Sequence, residues 1–184
     1  MTDINTNASL NLETATLGGG CFWCLEAVYQ LVRGVHGVES GYAGGHTPNP
    51  NYDDICTGES GHAEVVQLRF DPAVISYEHI LHIFFNIHDP TTLNRQGHDV
   101  GTQYRSVIFT HSNNQASVAQ QVMLEAQSHI SAPLVTQVLP LPTYYPAEAY
   151  HQNYFVNHPH QGYCAGVVGP KVAKFKATLK EYLK

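Results

Sequence analysis

A chain of 184 residues, 43% hydrophobic and 13% charged, is long enough to bury a core, and its formal net charge of −6 argues against a nucleic-acid or anionic-membrane partner. No apolar run is long enough for a bilayer-spanning helix and the first dozen residues are polar rather than signal-like, so a cytoplasmic protein is the default expectation. In that compartment four cysteines point to catalysis or metal binding rather than to a disulfide framework.

Met1 to Leu12 carries Asn, Thr and Ser with little periodicity and reads as a flexible arm, which leaves 13–184 as one domain. Glu13 to Leu17 is a strand candidate. Gly18, Gly19 and Gly20 then allow a turn, and Leu25, Val28 and Val32 recur at helical spacing, which predicts a helix from Phe22 to about Val32. Gly34 and Gly37 close it, Val35 to Tyr42 is a second strand, and Gly41 to Tyr52 is a loop rich in Gly, Pro and Asn. From Ala63 to Phe70, Val66, Leu68 and Phe70 alternate with other residues at the period of a strand, with Glu64 near its start. Asp71-Pro72 breaks the strand. Ser76 caps a helix that buries Ile80, Leu81, Phe84 and Ile87.

The stretch His88 to Arg105 is polar and dense in ionisable side chains. Tyr104 to Thr110 reads as a strand, and Ser112 with Gln115 is a capping-box pattern opening a helix to about His129. After Pro133, Val135 to Leu139 resumes as strand, Ala147 to Val156 is a short helix, and Gly162 to Pro170 is a glycine-containing coil that holds Cys164. Val172, Phe175, Leu179 and Leu183 share one face of a terminal helix, Val172 to Lys184. The order strand-helix-strand-strand-helix-strand implies an α+β two-layer α/β sandwich, with a ferredoxin-like core and a mixed, largely antiparallel sheet.

Cys21 falls at the start of the first helix, where unpaired N–H groups and the macrodipole favour a thiolate. A helix terminus contributes roughly 0.3 to 2 kcal/mol, about 0.2 to 1.5 pKa units, which leaves much of the thiol protonated at neutral pH. A second activating group is therefore expected near Cys21. Cys24 adds a Cys-x-x-Cys spacing.

An ordered set of motifs resembles one known family. Gly20-Cys21-Phe22-Trp23-Cys24, Gly41-Tyr42-Ala43-Gly44-Gly45, Tyr52 with Cys56-Thr57-Gly58, and Gly61-His62-Ala63-Glu64 are followed by His88-Asp89-Pro90-Thr91. Asp99-Val100-Gly101-Thr102-Gln103-Tyr104-Arg105-Ser106 and Gly162-Tyr163-Cys164 complete the set. The chain is similar to the type A peptide methionine sulfoxide reductases. The resemblance implies reduction of the S epimer of methionine sulfoxide, with Cys21 as nucleophile, Glu64 as proton donor, and Tyr52, Asp99 and Tyr104 as the other polar members of the site. It also implies Cys164 as resolving cysteine and thioredoxin as external reductant, with no bound cofactor or metal. Phe22 and Trp23 offer apolar faces to the substrate methyl group. Cys24 is a second candidate for the resolving or relay thiol.

Other residues invite plainer readings. Cys56 reads as a small packed thiol, and Tyr42, Tyr144, Tyr145 and Tyr163 read as packing residues. Glu26 reads as serving the helix's first turn. The 12 histidines lack paired ligand spacing, so His62, His88 and His98 read as hydrogen-bonding or surface groups. Two rivals stand: thioredoxin-like dithiol exchange through Cys21 and Cys24, and a zinc module built from Cys21, Cys24, Cys56 and a histidine. A monomer is expected.

Overall fold

The computed structural model describes residues 11–184; most of the expected N-terminal arm lies outside them. Its elements in order are β1 (Glu13–Gly18), α1 (Phe22–Tyr29), β2 (Val35–Ala43), α2 (Tyr52–Cys56), β3 (Ala63–Phe70) and α3 (Tyr77–Ile87). They continue with β4 (Arg95–Gln96), β5 (Asp99–Val100), a 3-10 turn at Thr102–Tyr104, β6 (Val107–Thr110), α4 (Asn113–His129), β7 (Gln137–Pro140) and β8 (Tyr144–Pro146). A 3-10 turn at Ala149–His151, α5 (Tyr154–Asn157), a π-helical turn at Cys164–Val168, α6 (Gly169–Thr178) and a last 3-10 turn at Lys180–Tyr182 complete the chain.

The alternation read in Ala63–Phe70 makes β3 a central strand. It pairs antiparallel with β1 (Glu13↔Phe70 to Leu17↔Val66) and with β2 (Val38↔Leu68 to Ala43↔Ala63). The sheet runs β7-β6-β1-β3-β2-β8, and only β6 with β7 is parallel, so it is mixed and mostly antiparallel as expected. Val66, Leu68 and Phe70 are fully buried, and each such side chain contributes about 1.5 to 3 kcal/mol on burial. They meet Leu25, Val28, Ile80 and Phe84 from α1 and α3 in one core, while Val65, Val107 and Phe109 form a smaller cluster with Ala43 and Ala63. Because side chains alternate along a strand, Glu64 shares the face of Val66 and Leu68 and enters the main core.

Several boundaries move for physical reasons. Helix α1 stops at Tyr29, because the chain tightens into i→i+3 bonds (Leu31 to Val28, Val32 to Tyr29) and Gly34 turns at φ 87. The expected loop gives its first three residues to β2, and α2 begins at its last, Tyr52, capped reciprocally by Asn51 and Asp54. Ser76 accepts from the His79 N–H and Ser112 from the Gln115 N–H, as their spacing predicts. Gln115 returns its bond to the His111 N–H rather than to that of Ser112. The strand expected over Tyr104–Thr110 begins only at Val107. The helix expected over Ala147–Val156 is broken at Asn153, whose φ is 55, and β8 precedes it. The coil expected over Gly162–Pro170 is helical instead. Pro170 sits in the first turn of α6, and the widened π-turn just before it re-spaces the hydrogen-bond ladder.

Candidate active site

Two N–H groups at the start of α1 set the chemistry. Cys21 is the N-cap of the helix, at φ −59 and ψ 128, so its neighbours' amides are free of intrahelical partners. The Phe22 N–H donates to Glu64 Oε2 at 3.0 Å, and the N–H of Trp23, two residues on from Cys21, pulls that thiol toward the thiolate. One helix tip thus holds a thiol and a carboxyl side by side. Gly20 makes the approach possible: its φ is 92, and a Cβ there would lie 2.6 Å from the Gln96 side chain.

Glu64 is 2% exposed, and burial pushes its carboxyl up to about 8 against the opposing pull of the Phe22 N–H, with the Asp99 charge adding to the rise. It is therefore a buried proton carrier at neutral pH. Cys21 behaves otherwise than the helix dipole alone predicts. Burial, the adjacent Cys24 thiol and the charge of Glu64 together hold it well above the usual thiol range, and outweigh the Trp23 N–H. Contact with Cys21 lowers Cys24 instead, so the two sulfurs compete for protons as a pair.

A cavity of about 190 Å³ opens over Cys21 and Glu64. Phe22 and Trp23 supply its apolar wall; Tyr52, Asp99 and Tyr104 line the rest, so all seven sequence-predicted pocket residues meet in one place. Asp99 comes from the short β4–β5 hairpin, where it pairs with Gln96 across Gly97 at φ 59. Tyr52 opens α2 and Tyr104 ends a 3-10 turn. Burial raises both phenols, reinforced at Tyr52 by Cys56 and at Tyr104 by the charge of Glu64, so both are hydrogen-bond donors.

The eighth lining residue is Tyr163, which packs half-buried against the core as expected and also belongs to the site: its hydroxyl donates to Asp99 Oδ2. Its place beside Cys164 in the Gly162-Tyr163-Cys164 motif was the available signal. Two further residues were missed, Glu148 and His151. Glu148 Oε1 accepts the Tyr52 N–H at 2.7 Å, and His151 Nδ1 accepts the Trp23 indole N–H at 3.2 Å.

Of the remaining thiols, Cys164 and Cys56 differ from expectation. Cys164 lies not on a coil but at the start of the π-turn, with no exposed area and its N–H bonded to Gln161 Oε1. Cys24 is buried behind Cys21 in the first turn of α1, while Cys56 is exposed rather than packed. Glu26 is 1% exposed and accepts the N–H groups of Asn153 and Tyr154, so it caps α5 and not its own helix. His62 joins Gly45 to Thr47, and His88 bridges Phe84 O and Ser106 Oγ; burial pushes His88 down to about 4. His98 is exposed. Among the described residues, three potential metal ligands come together only at Glu78, His82 and Glu125, so the cysteine set of the zinc reading is not assembled.

A family profile described as Peptide methionine sulfoxide reductase matches residues 13–183. The chain belongs to the peptide methionine sulfoxide reductase family. It is 60% identical over its whole length to a Peptide methionine sulfoxide reductase MsrA of Polynucleobacter asymbioticus, covering 97% of that protein. It is 53% identical to the MsrA of Saccharolobus solfataricus over 94% of the chain and 98% of the relative. Methionine sulfoxide reductase A of Corynebacterium diphtheriae superposes with a TM-score of 0.80 at 36% identity, over 84% of this chain and 78% of that one. Mxr1 of Saccharomyces cerevisiae in complex with Trx2 has a TM-score of 0.55 at 26% identity, over 78% and 84% of the two chains.

Proposed function

We propose that this chain reduces the S epimer of methionine sulfoxide, free or in proteins, to methionine, and that thioredoxin recycles it. The observation that carries the reading is a buried carboxyl, Glu64, held beside Cys21 at one helix tip under a small cavity with an aromatic wall, where burial raises it to about 8. Phe22 and Trp23 receive the methyl group, and the sulfoxide oxygen faces Glu64, Tyr52 and Tyr104. Attack by the Cys21 thiolate on sulfur transfers the oxygen to Cys21 as a sulfenic acid. The proton comes from Glu64, and methionine leaves. Asp99, bonded to Tyr163, completes the polar wall.

Resolution uses the other two buried thiols. Cys24 is the thiol next to Cys21, and its charge in turn raises Cys164, whose own rise comes first from burial. We assign Cys24 as relay: its thiol condenses with the sulfenic acid to give a Cys21–Cys24 disulfide and water. Cys164 then attacks Cys24, frees Cys21, and leaves a Cys24–Cys164 disulfide for the two electrons of thioredoxin. After one equivalent of sulfoxide, mass spectrometry should find Cys24 joined to Cys164, and in Cys164→Ser, Cys21 joined to Cys24. A dominant Cys21–Cys164 bond would remove the relay and restore direct resolution.

The catalytic domain spans 13–184, with a ferredoxin-like core supported by the β6-β1-β3-β2 order. It works as a cytoplasmic monomer without a bound cofactor or metal. A single-turnover assay with the two separated epimers, thiols counted before and after, tests the activity. Methionine from the S epimer alone, with loss of thiols, is expected; equal use of both epimers, or disulfide exchange without sulfoxide turnover, would favour the thioredoxin-like rival.

A further inference from the structure

Behind the pocket, the segment after β8 sends two side chains toward residues that line the cavity. His151 is 1% exposed and its ring packs on Phe22, Tyr52 and Trp23 at centroid distances of 5.1, 4.5 and 5.7 Å. Its Nδ1 accepts the Trp23 indole N–H, so the neutral ring carries its own proton on Nε2. That Nε2 is buried without a hydrogen-bond partner, and Glu148 Oε2 lies 3.7 Å away. The same carboxylate takes the Tyr52 N–H on Oε1 at 2.7 Å and the Tyr42 hydroxyl on Oε2 at 2.9 Å. Burial lowers His151, which keeps the ring neutral and Nδ1 free to accept.

Neither residue lines the cavity, yet each grips one that does. We propose that Glu148 and His151 are a positioning pair for the reduction step. Glu148 fixes the start of α2 so that the Tyr52 hydroxyl meets the sulfoxide oxygen. His151 fixes the plane of the Trp23 indole, which is also stacked on Tyr154 at 3.7 Å, so that its face meets the methyl group. A backbone N–H held by a carboxylate is a firm anchor, because charge-assisted hydrogen bonds are about twice as strong as neutral ones. The proposal rests on the functional reading above.

A double-mutant cycle tests the first half. Tyr52→Phe and Glu148→Ala should each slow single-turnover reduction about tenfold, and the double variant should be no slower than either, because both remove the same hydroxyl from its place. Multiplicative losses, about a hundredfold in the double variant, overturn it. Should Glu148→Ala not fold, Glu148→Asp, one methylene short of the Tyr52 N–H, takes its place in the cycle.

The second half has a direct readout, since Trp23 is the single tryptophan of the chain and gives one indole N–H resonance. His151→Phe should move that resonance upfield and raise KM several-fold with little change in the maximal rate, and His151→Gln, which restores an acceptor, should recover both. A resonance indifferent to His151→Phe overturns the pair. If the wild-type protein reduces neither epimer, the functional reading fails, while the indole resonance still reports the geometry.

Discussion

Replacing Glu64 with Gln keeps the size of the side chain and removes its transferable proton. With its carboxyl held at about 8, wild-type Glu64 is roughly nine-tenths protonated at pH 7, and general acids in such positions contribute about 10² to 10⁴ in rate. The expected loss in single-turnover reduction is therefore about 10³, or about 4 kcal/mol of barrier. The pH dependence is more discriminating. Cys21 lies higher than Glu64, so the reactive form, thiolate with protonated carboxyl, has the same proton count as the more populated form with thiol and carboxylate. Its population rises with pH until Glu64 titrates, levels above about 8, and falls only where the second proton leaves. In Glu64→Gln the limb near 8 should vanish and a single rising limb should remain, set by Cys21 relieved of the Glu64 charge. Single-turnover rates measured across pH 6 to 10 by quench and methionine analysis decide the matter. A Gln variant within threefold of wild type, or one that retains a limb near 8, would refute the role of this carboxyl.

Cys21→Ser should abolish methionine formation altogether, whereas Cys164→Ser should yield one methionine per chain and then stop, with thioredoxin unable to restart it; equal loss of both steps would contradict the division of labour. Gly20→Ala forces a side chain into φ 92 and against Gln96, so it should cost about 1 to 3 kcal/mol in denaturant unfolding and slow reduction through the displaced helix tip. Glu26→Ala leaves the Asn153 and Tyr154 N–H groups without their acceptor and should cost about 1 to 3 kcal/mol, read as a lower midpoint with unchanged slope.

What the sequence makes legible is what depends on near neighbours. The alternation of Val66, Leu68 and Phe70, and the caps at Ser76 and Ser112, follow from contacts a few residues apart, and the structure keeps them. The helix start at Cys21 is local in the same sense, and Glu64 reaches it because strand alternation turns that side chain into the core. Tyr163, Glu148 and His151 are different. Their partners Asp99, Tyr52 and Trp23 lie 64, 96 and 128 residues away, and no local period encodes such a meeting. Strand β8 is hidden for a related reason: three residues at a sheet edge have no alternation to display and depend on β2. At Cys21 the helix tip is visible in sequence and burial is not: the tip alone favours the thiolate, whereas burial, the largest influence on that thiol, raises it.

The carboxyl proposed as proton donor should weaken the fold. Unfolded, Glu64 would titrate near 4.5; folded, burial lifts it to about 8. Between those values the native state holds a proton that the unfolded chain releases, so stability is greatest below about 4.5, as far as this group is concerned, and declines as pH rises toward 8. A difference of about 3.5 units corresponds to about 5 kcal/mol at its fullest, reached only above pH 8, with roughly 3 kcal/mol already incurred at pH 7. Gln at this position keeps an acceptor for the Phe22 N–H but does not ionise, so Glu64→Gln should be more stable than wild type by an amount that grows with pH. Denaturant unfolding of both proteins at pH 5, 7 and 9, with thiols kept reduced, measures the gap. A gap that is constant across those three values would mean that Glu64 titrates alike in both states, and the buried proton carrier on which the chemistry depends would not exist.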